Sequence, residues 1–266
     1  MKKLGKIYIA LVLLFLYVPI FVLIVFSFNE TKSRSVFSGF TLDWYVRLFH
    51  NRIIISSLIN TIIIAAAASI ISTILGTLAA IGINSMKKLP KTVVMNVNNI
   101  PIINPEIVTG VSLMLLFVFF AARMNFEFGF GTLLIAHITF DVPYVILNVM
   151  PKFNQMDPHL YEAAQDLGCS PLKAFSKVVL PEIMPGVISG FLMSFTYSLD
   201  DFVVSYFTTG SSSQTLPITI YSMTRRKVSP EINALSTIIF AVVVIVLLIK
   251  HTVETRSAHK SSAQGG

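Results

Sequence analysis

Ionisable side chains inside long apolar runs are the first candidates for chemistry in this sequence. Asp200 and Asp201 stand together in one such run, and Asp141 stands four residues after His137 in another. A carboxylate in the hydrocarbon of a membrane costs roughly 3 kcal/mol or more when it faces lipid, and so such groups usually turn inward. We therefore predict that these carboxylates line a pathway through the protein.

The spacing of small and polar residues around Asp201 defines one face of a predicted continuous helix. Steps of three and four residues place this set on a single stripe. Asp201 is therefore the better candidate for the lumen, and Asp200, about 100° round the helix, is expected to support it from beside Tyr197. The stripe comprises Gly190, Ser194, Ser198, Asp201, Ser205 and Thr208.

The same residues do not form a catalytic or metal site. His137 and Asp141 have a spacing that could bind a metal ion, but no third ligand is in register and no HExxH pattern exists. Interhelical hydrogen bonds or lining of the path are the preferred roles. A GxxxxGK[ST] phosphate cradle is also absent, so we expect no ATPase activity and no bound cofactor. Cys169 is the only cysteine, which excludes an intrachain disulfide.

A polar segment between two apolar runs predicts two short helices. Asp157 can N-cap the first, with Pro158 at the first helical position, and Gly168 follows where a left-handed residue ends a helix. This predicts a helix over 159–167. Ser170 begins the second helix, which is expected to end at Pro181.

Part of this segment resembles the cytoplasmic loop of the inner-membrane permease subunits of bacterial ABC importers. In that family the loop docks into a cleft on the ATP-hydrolysing subunit and transmits its closure. Val178 stands where isoleucine is commoner, which preserves the shape. The alternative is an amphipathic surface loop of some other membrane protein. The residues that match the pattern, and whose coupling role the resemblance implies, are Glu162, Ala163, Ala164, Gly168, Leu180 and Pro181.

The composition identifies the element type that must hold these residues. Of 266 residues, 54% are apolar and 12% are charged, which indicates a polytopic membrane protein. The apolar runs are continuous rather than alternating, so the fold class is all-α, with six transmembrane helices in one domain, residues 1–266. We place the spans at about 7–28, 58–83, 99–122, 131–150, 186–207 and 232–249, with a cytoplasmic coupling loop at 151–185.

The positive charge is assigned to orientation in the membrane. The net charge is +7, and the basic residues lie in the connections between spans rather than in a nucleic-acid-binding patch. The predicted topology places twelve Lys and Arg residues on the side of the termini and eight on the other. We therefore expect both termini in the cytoplasm and a multi-pass protein in contact with the lipid of the bacterial cytoplasmic membrane.

Three local patterns add expectations about packing. Small residues along the second span, such as Ala65 and Gly76, predict a face buried against other helices. Pro101 and Glu106 at the entrance of the third span predict a broken backbone that lines a vestibule. A short helix over 41–49 is expected to lay its aromatic residues on the membrane interface.

Four further motifs resemble the polyamine branch of these permeases, and the likeness covers most of the chain from the second span onward. It implies a type I importer fold and three partners. These are a second, homologous six-span permease, a pair of ATP-binding subunits and an extracytoplasmic polyamine-binding protein. The motifs are His137-Ile138-Thr139-Phe140, Ser194-Phe195-Thr196 with Asp200-Asp201, Tyr221-Ser222-Met223 and the run 228–235.

The chemistry of the fifth span agrees with a polyamine cargo such as spermidine or putrescine. A polycation at hydrocarbon depth needs carboxylates to offset its desolvation, and aromatic faces add weaker cation–π contacts. Asp201 near Tyr197 and Tyr206 offers both. Two rival hypotheses are a permease for another ABC cargo and an ion-coupled carrier that needs no loop partner. A membrane-embedded enzyme is a third, with no catalytic constellation to support it.

Overall fold

The chain is helical in nearly all of the part that the structure describes. The structure is a computed structural model, and it describes residues 2–31, 36–124, 126–157, 159–211, 213–226, 230–241 and 244. The all-α prediction is confirmed. The helices are α1 (Lys2–Phe26), α2 (Asp43–His50), α3 (Arg52–Asn84), α4 (Lys88–Ile103), α5 (Glu106–Met124), α6 (Phe130–Gln155), α7 (Leu160–Asp166), α8 (Pro171–Ala174), a π-helix (Phe175–Val179), α9 (Leu180–Asp200), α10 (Val203–Thr208) and α11 (Leu216–Arg226).

Five helical segments of the described residues are long and apolar enough to cross a membrane. They are Gly5–Phe26, Arg52–Asn84, Glu106–Met124, Phe130–Gln155 and Pro171–Asp200. Residues 230–241 are also helical and begin close to the start of the sixth predicted span. Apart from residue 244, the remainder of that span lies outside the described residues.

Contacts within the chain divide it into two compact units. Met1–Ile55 with Ile220–Gly266 forms one unit, and Ser56–Thr219 forms the other. In the first unit, Trp44 and Leu48 of α2 are buried, and the Trp44 indole donates to the Asn29 carbonyl at 2.7 Å. The face of α2 that was expected to lie on the membrane interface therefore packs on protein.

The second unit is built on the pairing of α6 with α9, which α3 joins at one end. Its apolar core combines side chains from all three helices and from the π-helix. Hydrophobicity gives helices no reason to associate inside lipid, so this contact depends on close van der Waals packing. The core comprises Ala80, Ile83, Val145, Ile146, Val149, Met150, Phe153, Val179 and Ile183.

Small residues bring these helices close together. A Cβ atom at Gly186 would lie 2.7 Å from the Asn148 carbonyl oxygen, and one at Gly76 would lie 2.6 Å from the Val145 Cβ. Neither glycine could carry a side chain without a shift of its neighbour. The predicted buried small-residue face of the second span is confirmed by Ala65, Ala68 and Ala80, which are fully buried.

The third predicted span is two helices rather than one. Asn104 leaves the helical region, with φ −72° and ψ 138°, because Pro105 disfavours a helical conformation in the residue before it. α4 therefore ends at Ile103 and α5 begins at Glu106. The predicted backbone break is confirmed, and it divides the predicted segment.

The fifth predicted span differs from expectation at both ends. The prediction that Pro181 ends a helix is wrong, because the helix continues through the π-helix into α9 with this proline in its first turn. The π-helix directly before Pro181 is a local irregularity in the helix at this proline, where an interior N–H is missing. The prediction of one continuous helix over 186–207 is also wrong, because α9 ends at Asp200 and α10 begins at Val203.

Candidate functional site

The break between α9 and α10 places Asp201 at the start of α10. Asp201 is extended, with φ −63° and ψ 124°, and its carboxylate turns back onto the next helix. Its Oδ1 accepts the Val204 N–H at 3.2 Å, and its Oδ2 accepts the Ser205 N–H at 2.6 Å. These bonds satisfy amide groups that a helix start leaves unpaired, and they set a negative group against the positive end of the helix.

His137 of α6 joins both sides of this break. Its ring is fully buried, with Nδ1 at 2.6 Å from Ser198 Oγ and Nε2 at 2.9 Å from Ser205 Oγ. Nε2 also lies 3.7 Å from Asp201 Oδ2. We call His137, Ser198 and Ser205 the histidine clasp. The predicted interhelical hydrogen bonds of His137 are thereby confirmed.

A small cavity opens beside the break, and we call it the acidic cavity. It measures about 230 Å³ and combines three carboxylates with four aromatic rings. Tyr144 and Tyr197 stack on one wall with centroids 4.4 Å apart. The lining residues are Pro101, Glu106, Thr109, Phe140, Tyr144, Tyr197, Asp200, Asp201, Phe202, Val203 and Val204.

Both adjacent aspartates line this cavity, but Asp200 is the more exposed, whereas the helical stripe predicted that Asp201 faces the lumen. The Asp200 side chain is exposed, whereas that of Asp201 is only 7% exposed and is held by backbone N–H groups. The reason is the helix end at Asp200, since the angle of about 100° between successive residues applies only within a helix. Tyr197 lies beside Asp200 on the wall, as the spacing predicted.

Two predicted pathway residues lie outside the lining of the cavity. Tyr206 is 47% exposed on α10, and its ring is tilted against that of Phe202 with centroids 5.6 Å apart. Asp141 is fully buried in α6, where the Ser194 hydroxyl of α9 lies close to its carboxyl, although neither carboxyl oxygen makes a hydrogen bond of standard geometry among the described residues.

The cavity also contains residues that the sequence analysis did not assign to the path. Phe140 and Tyr144 come from α6, one turn apart, and Thr109 comes from α5. Phe140 and Tyr144 have the four-residue spacing of one helix face, and they flank Asp141. That spacing was the available signal. Glu106 and Pro101 do line a cavity, as the broken entrance of the third span predicted.

The predicted coupling loop, residues 151–185, which we call the coupling segment, folds largely as its spacing predicted. α7 ends at Asp166 and is followed by the left-handed residue Gly168, where φ is +85° and the N–H bonds to the Gln165 carbonyl at 2.8 Å. The Cys169 N–H bonds to the Ala164 carbonyl at 3.1 Å, which completes a Schellman motif. Asp157 Oδ1 accepts the His159 N–H at 2.9 Å, although His159 itself holds the N-cap position. Pro158 lies outside the described residues.

Four of the six predicted coupling residues are exposed, and one of them, Glu162, lines an open cleft. Glu162, Ala163, Gly168 and Pro181 are exposed, Leu180 is half-buried and Ala164 is buried. Leu167 and Leu172 nearby are 87% and 82% exposed. The cleft measures about 840 Å³ and is lined by Ile81, Asn84, Ser85, Phe153, Met156, Tyr161, Glu162, Pro171, Leu172, Phe175 and Val179.

Sequence comparison links the chain to characterised transport proteins. Residues 72–253 match the family model "Binding-protein-dependent transport system inner membrane component". The spermidine/putrescine transport system permease protein PotC of Haemophilus influenzae is 38% identical over 245 residues, covering 92% of this chain and 94% of the relative. The putrescine transport system permease protein PotI of Escherichia coli is 38% identical over 235 residues, covering 87% and 84%.

Structural comparison gives the same fold. A crystal structure of a bacterial ABC transporter involved in the import of the acidic polysaccharide alginate aligns with a TM-score of 0.69 and 14% identity, covering 96% of this chain and 95% of that chain. The same kind of transporter in complex with an alginate pentasaccharide-bound periplasmic protein aligns with a TM-score of 0.70 and 17% identity, covering 93% and 91%.

The family match and the identities cover most of the chain, and the fold is that of ABC importer permeases. The chain therefore belongs to the inner-membrane components of binding-protein-dependent transport systems, as a multi-pass permease subunit.

Proposed function

We propose that this permease carries polyamines, spermidine or putrescine, across the bacterial cytoplasmic membrane as a subunit of an ATP-driven importer. The observation that carries the proposal is the acidic cavity, in which Glu106, Asp200 and Asp201 face the same space as four aromatic rings. The names of the relatives PotC and PotI support the same cargo.

The lining suits a flexible chain of ammonium groups. Each ammonium that leaves water loses hydration, and a carboxylate offsets that loss. Stacked Tyr144 and Tyr197 offer ring faces, and a cation–π contact contributes about 0.5–2 kcal/mol. The volume of about 230 Å³ is below the roughly 300 Å³ at which pockets for drug-sized ligands begin, so the cavity holds part of a chain at a time. Such partial contacts suit passage rather than storage.

Asp141 and Tyr206 complete the proposed path. Asp141 lies between Phe140 and Tyr144 in the sequence, and the side chains of both line the cavity. A buried carboxyl is favoured in its neutral form, and a cation that reaches it in another conformation would stabilise the ionised form. Tyr206 contacts Phe202, which also lines the cavity.

The energy for transport is proposed to come from partner subunits. A pair of ATP-binding subunits would dock at Glu162, Ala163, Ala164, Gly168, Leu180 and Pro181, and this chain would have no ATPase site of its own. A second, homologous permease would complete the path. An extracytoplasmic polyamine-binding protein would deliver the cargo, and both termini would lie in the cytoplasm. The exposure of Glu162, Ala163, Gly168 and Pro181 supports the docking site.

One continuous helical run connects the proposed docking site to the cavity. It extends from Pro171 to Asp200, 30 residues, or about 45 Å at 1.5 Å per residue. Leu172 at one end lines the cleft of the coupling segment, and Asp200 at the other lines the acidic cavity. A displacement of the coupling segment would therefore reach the cavity wall through a single element.

Spermidine uptake by the complete importer in proteoliposomes with internal ATP tests the cargo. Asp200→Asn is the most direct variant, because Asp200 is exposed, whereas Asp201 also caps α10. Loss of one charge contact worth about 1.4 kcal/mol would raise the KM for spermidine about tenfold. Asp43→Asn is the matched control, since Asp43 is an exposed acid at the start of α2 that lines neither the acidic cavity nor the cleft beside the coupling segment.

The result also separates the rival hypotheses. Equal spermidine uptake by wild type, Asp200→Asn and Glu106→Gln would contradict the proposed path. ATP-dependent activity without spermidine uptake would favour another ABC cargo. Uptake that persists without the ATP-binding subunits, when a proton gradient is supplied, would favour an ion-coupled carrier.

A further inference from the structure

The histidine clasp encloses the segment that forms one wall of the acidic cavity. Residues 200–204 all line the cavity, and they lie directly between Ser198 and Ser205, the two residues that His137 bonds. The backbone of this segment leaves the helical path at Asp201. The direction of the wall therefore depends on what holds α9 and α10 at their present angle.

Two sets of hydrogen bonds hold that angle. Within the segment, Asp201 bonds the N–H groups of Val204 and Ser205. From outside, α6 holds α9 at Ser198 and α10 at Ser205 through the one imidazole ring. Thr132 of α6 adds a further tie, since its hydroxyl donates to the Thr208 carbonyl at 2.8 Å at the end of α10.

The imidazole ring is suited to this role by its two nitrogens. A neutral ring has one donor and one acceptor, and a serine hydroxyl can take either role, so a single tautomer satisfies both contacts. No shorter amide side chain spans both serines. Asn can imitate Nδ1 and reach Ser198, and Gln can imitate Nε2 and reach Ser205. A ring without nitrogens, as in Phe, fills the space and makes neither bond.

We propose that His137 is a positioning residue of the transport path. It fixes the bend between α9 and α10 and so holds Asp200 and Phe202 on the wall of the acidic cavity. His137 does not line the cavity itself and acts through the segment that it holds. The inference rests on the proposed function for its transport readout, and on geometry alone for its structural readout.

The transport test compares His137→Phe, His137→Asn and His137→Gln in the complete importer in proteoliposomes. We expect His137→Phe to raise the KM for spermidine about tenfold, equivalent to one lost contact in the cavity, with a much smaller change in Vmax per inserted importer. The Asn and Gln variants should have intermediate KM values, because each keeps one bond. Thr139→Val is the matched control, since within the described part of the chain the exposed Thr139 hydroxyl bonds only its own helix, at the Ile135 carbonyl.

The structural test needs no transport. In a Cys169→Ser background, Val203→Cys introduces a single thiol on the cavity wall, and its reaction rate with a cationic thiol reagent is measured without substrate. His137→Phe should change this rate at least about fivefold, because residue 203 leaves its place when the bend relaxes, and Thr139→Val should leave it unchanged. Ser198→Ala combined with Ser205→Ala should reproduce the change, which provides a second route if His137→Phe does not fold.

The proposal is overturned if the labelling rate at residue 203 is the same with and without the clasp. It is equally overturned if KM stays constant while Vmax falls in proportion to the amount of inserted protein, since that pattern marks a general folding role. A wild-type importer that does not transport spermidine contradicts the proposed function only, and the labelling experiment then decides the positional role by itself.

Discussion

Two neighbouring carboxylates differ in their surroundings because of one change in backbone direction. The Asp201 carboxylate accepts hydrogen bonds from the N–H groups at the start of α10, whereas Asp200, still within α9, remains exposed in the acidic cavity. At the scale of single residues, Asp200 is therefore open to the cavity, and Asp201 stabilises the start of α10. Their substitutions should differ accordingly.

Thermal unfolding in detergent should separate Asp201→Ala from Asp200→Ala. Loss of the helix cap at Asp201 is expected to cost about 1 kcal/mol, which lowers Tm by roughly 2–4 °C in a chain of this size. Asp200→Ala should leave Tm unchanged, because this side chain is exposed and its loss opens no cavity. Equal Tm values for the two variants would contradict the assigned cap.

Asp141→Asn is expected to maintain or raise Tm and to lower spermidine uptake. The substitution keeps the shape of the side chain and replaces a buried carboxyl that makes no hydrogen bond of standard geometry among the described residues. Measurement of Tm and uptake on the same preparation is decisive. A clear fall in Tm would mean that the carboxylate stabilises the fold rather than serves the path.

At the scale of elements, the contact of α6 with α9 depends on the absence of side chains at defined points. The Cα of Gly190 faces that of Val145, and a Cβ there would lie 3.2 Å from it. Gly186 lies one turn earlier and is closer still to α6. These positions fix how near the cavity walls of the two helices approach.

Gly186→Ala should destabilise the protein, and Gly82→Ala should not. The new Cβ at residue 186 meets the Asn148 carbonyl at 2.7 Å, whereas nothing lies within 4 Å of one at residue 82. Overpacking of this kind costs about 1–3 kcal/mol, and alanine in an open helix position is favourable by up to about 1 kcal/mol. Thermal unfolding of the two variants side by side measures the difference, and equal Tm values would contradict the close approach.

Long helices were predictable from the sequence, but the positions where they break were only partly so. Asn104 breaks as its neighbour Pro105 requires, which is a local rule. The break after Asp200 has no such signal, because it depends on bonds that Asp201 makes with Ser205 and that His137 makes from another helix. The segment 170–180 was predicted as a helix that ends at Pro181, since apolar spacing does not reveal a π-helix that continues into α9.

The same distinction holds for the candidate site. Asp200 and Asp201 were predictable because acids are rare within an apolar run, and Tyr197 has helical spacing to Asp201. Tyr144 had only its spacing from Phe140 as a signal, because its place in the cavity depends on stacking with Tyr197 across two helices. Asp141 was grouped with the path by residue type, and its burial could not be deduced from spacing alone.

At the scale of the whole molecule, the effect of a substitution at the surface of the coupling segment on transport is expected to be distinguishable from an effect on the stability of the membrane-spanning helices. Glu162 is 73% exposed, and its side chain lies 3.6 Å from that of His159, also exposed. An exposed pair of this kind contributes little to stability. Any transport defect at this position should therefore report a lost contact with a partner subunit.

Glu162→Ala and Gly168→Pro should each leave the protein inserted and disconnect ATP hydrolysis from uptake. Proline fixes φ near −65°, which is incompatible with the +85° of Gly168, and it removes the N–H that bonds Gln165. ATP hydrolysis and spermidine uptake are measured on the same proteoliposomes, with Thr139→Val on α6 as a control outside the segment. Wild-type uptake in both variants would contradict the docking assignment.

Cys169 follows the left-handed glycine, and its backbone N–H closes the turn at the end of α7. It is the only thiol in the sequence, and its side chain is partly accessible. The unmodified chain thus already has a single attachment point for a fluorophore or spin probe, beside the surface where we propose that the ATP-binding subunits dock. The proposed nucleotide-driven movement of that surface would therefore be observable by spectroscopy without any engineered residue.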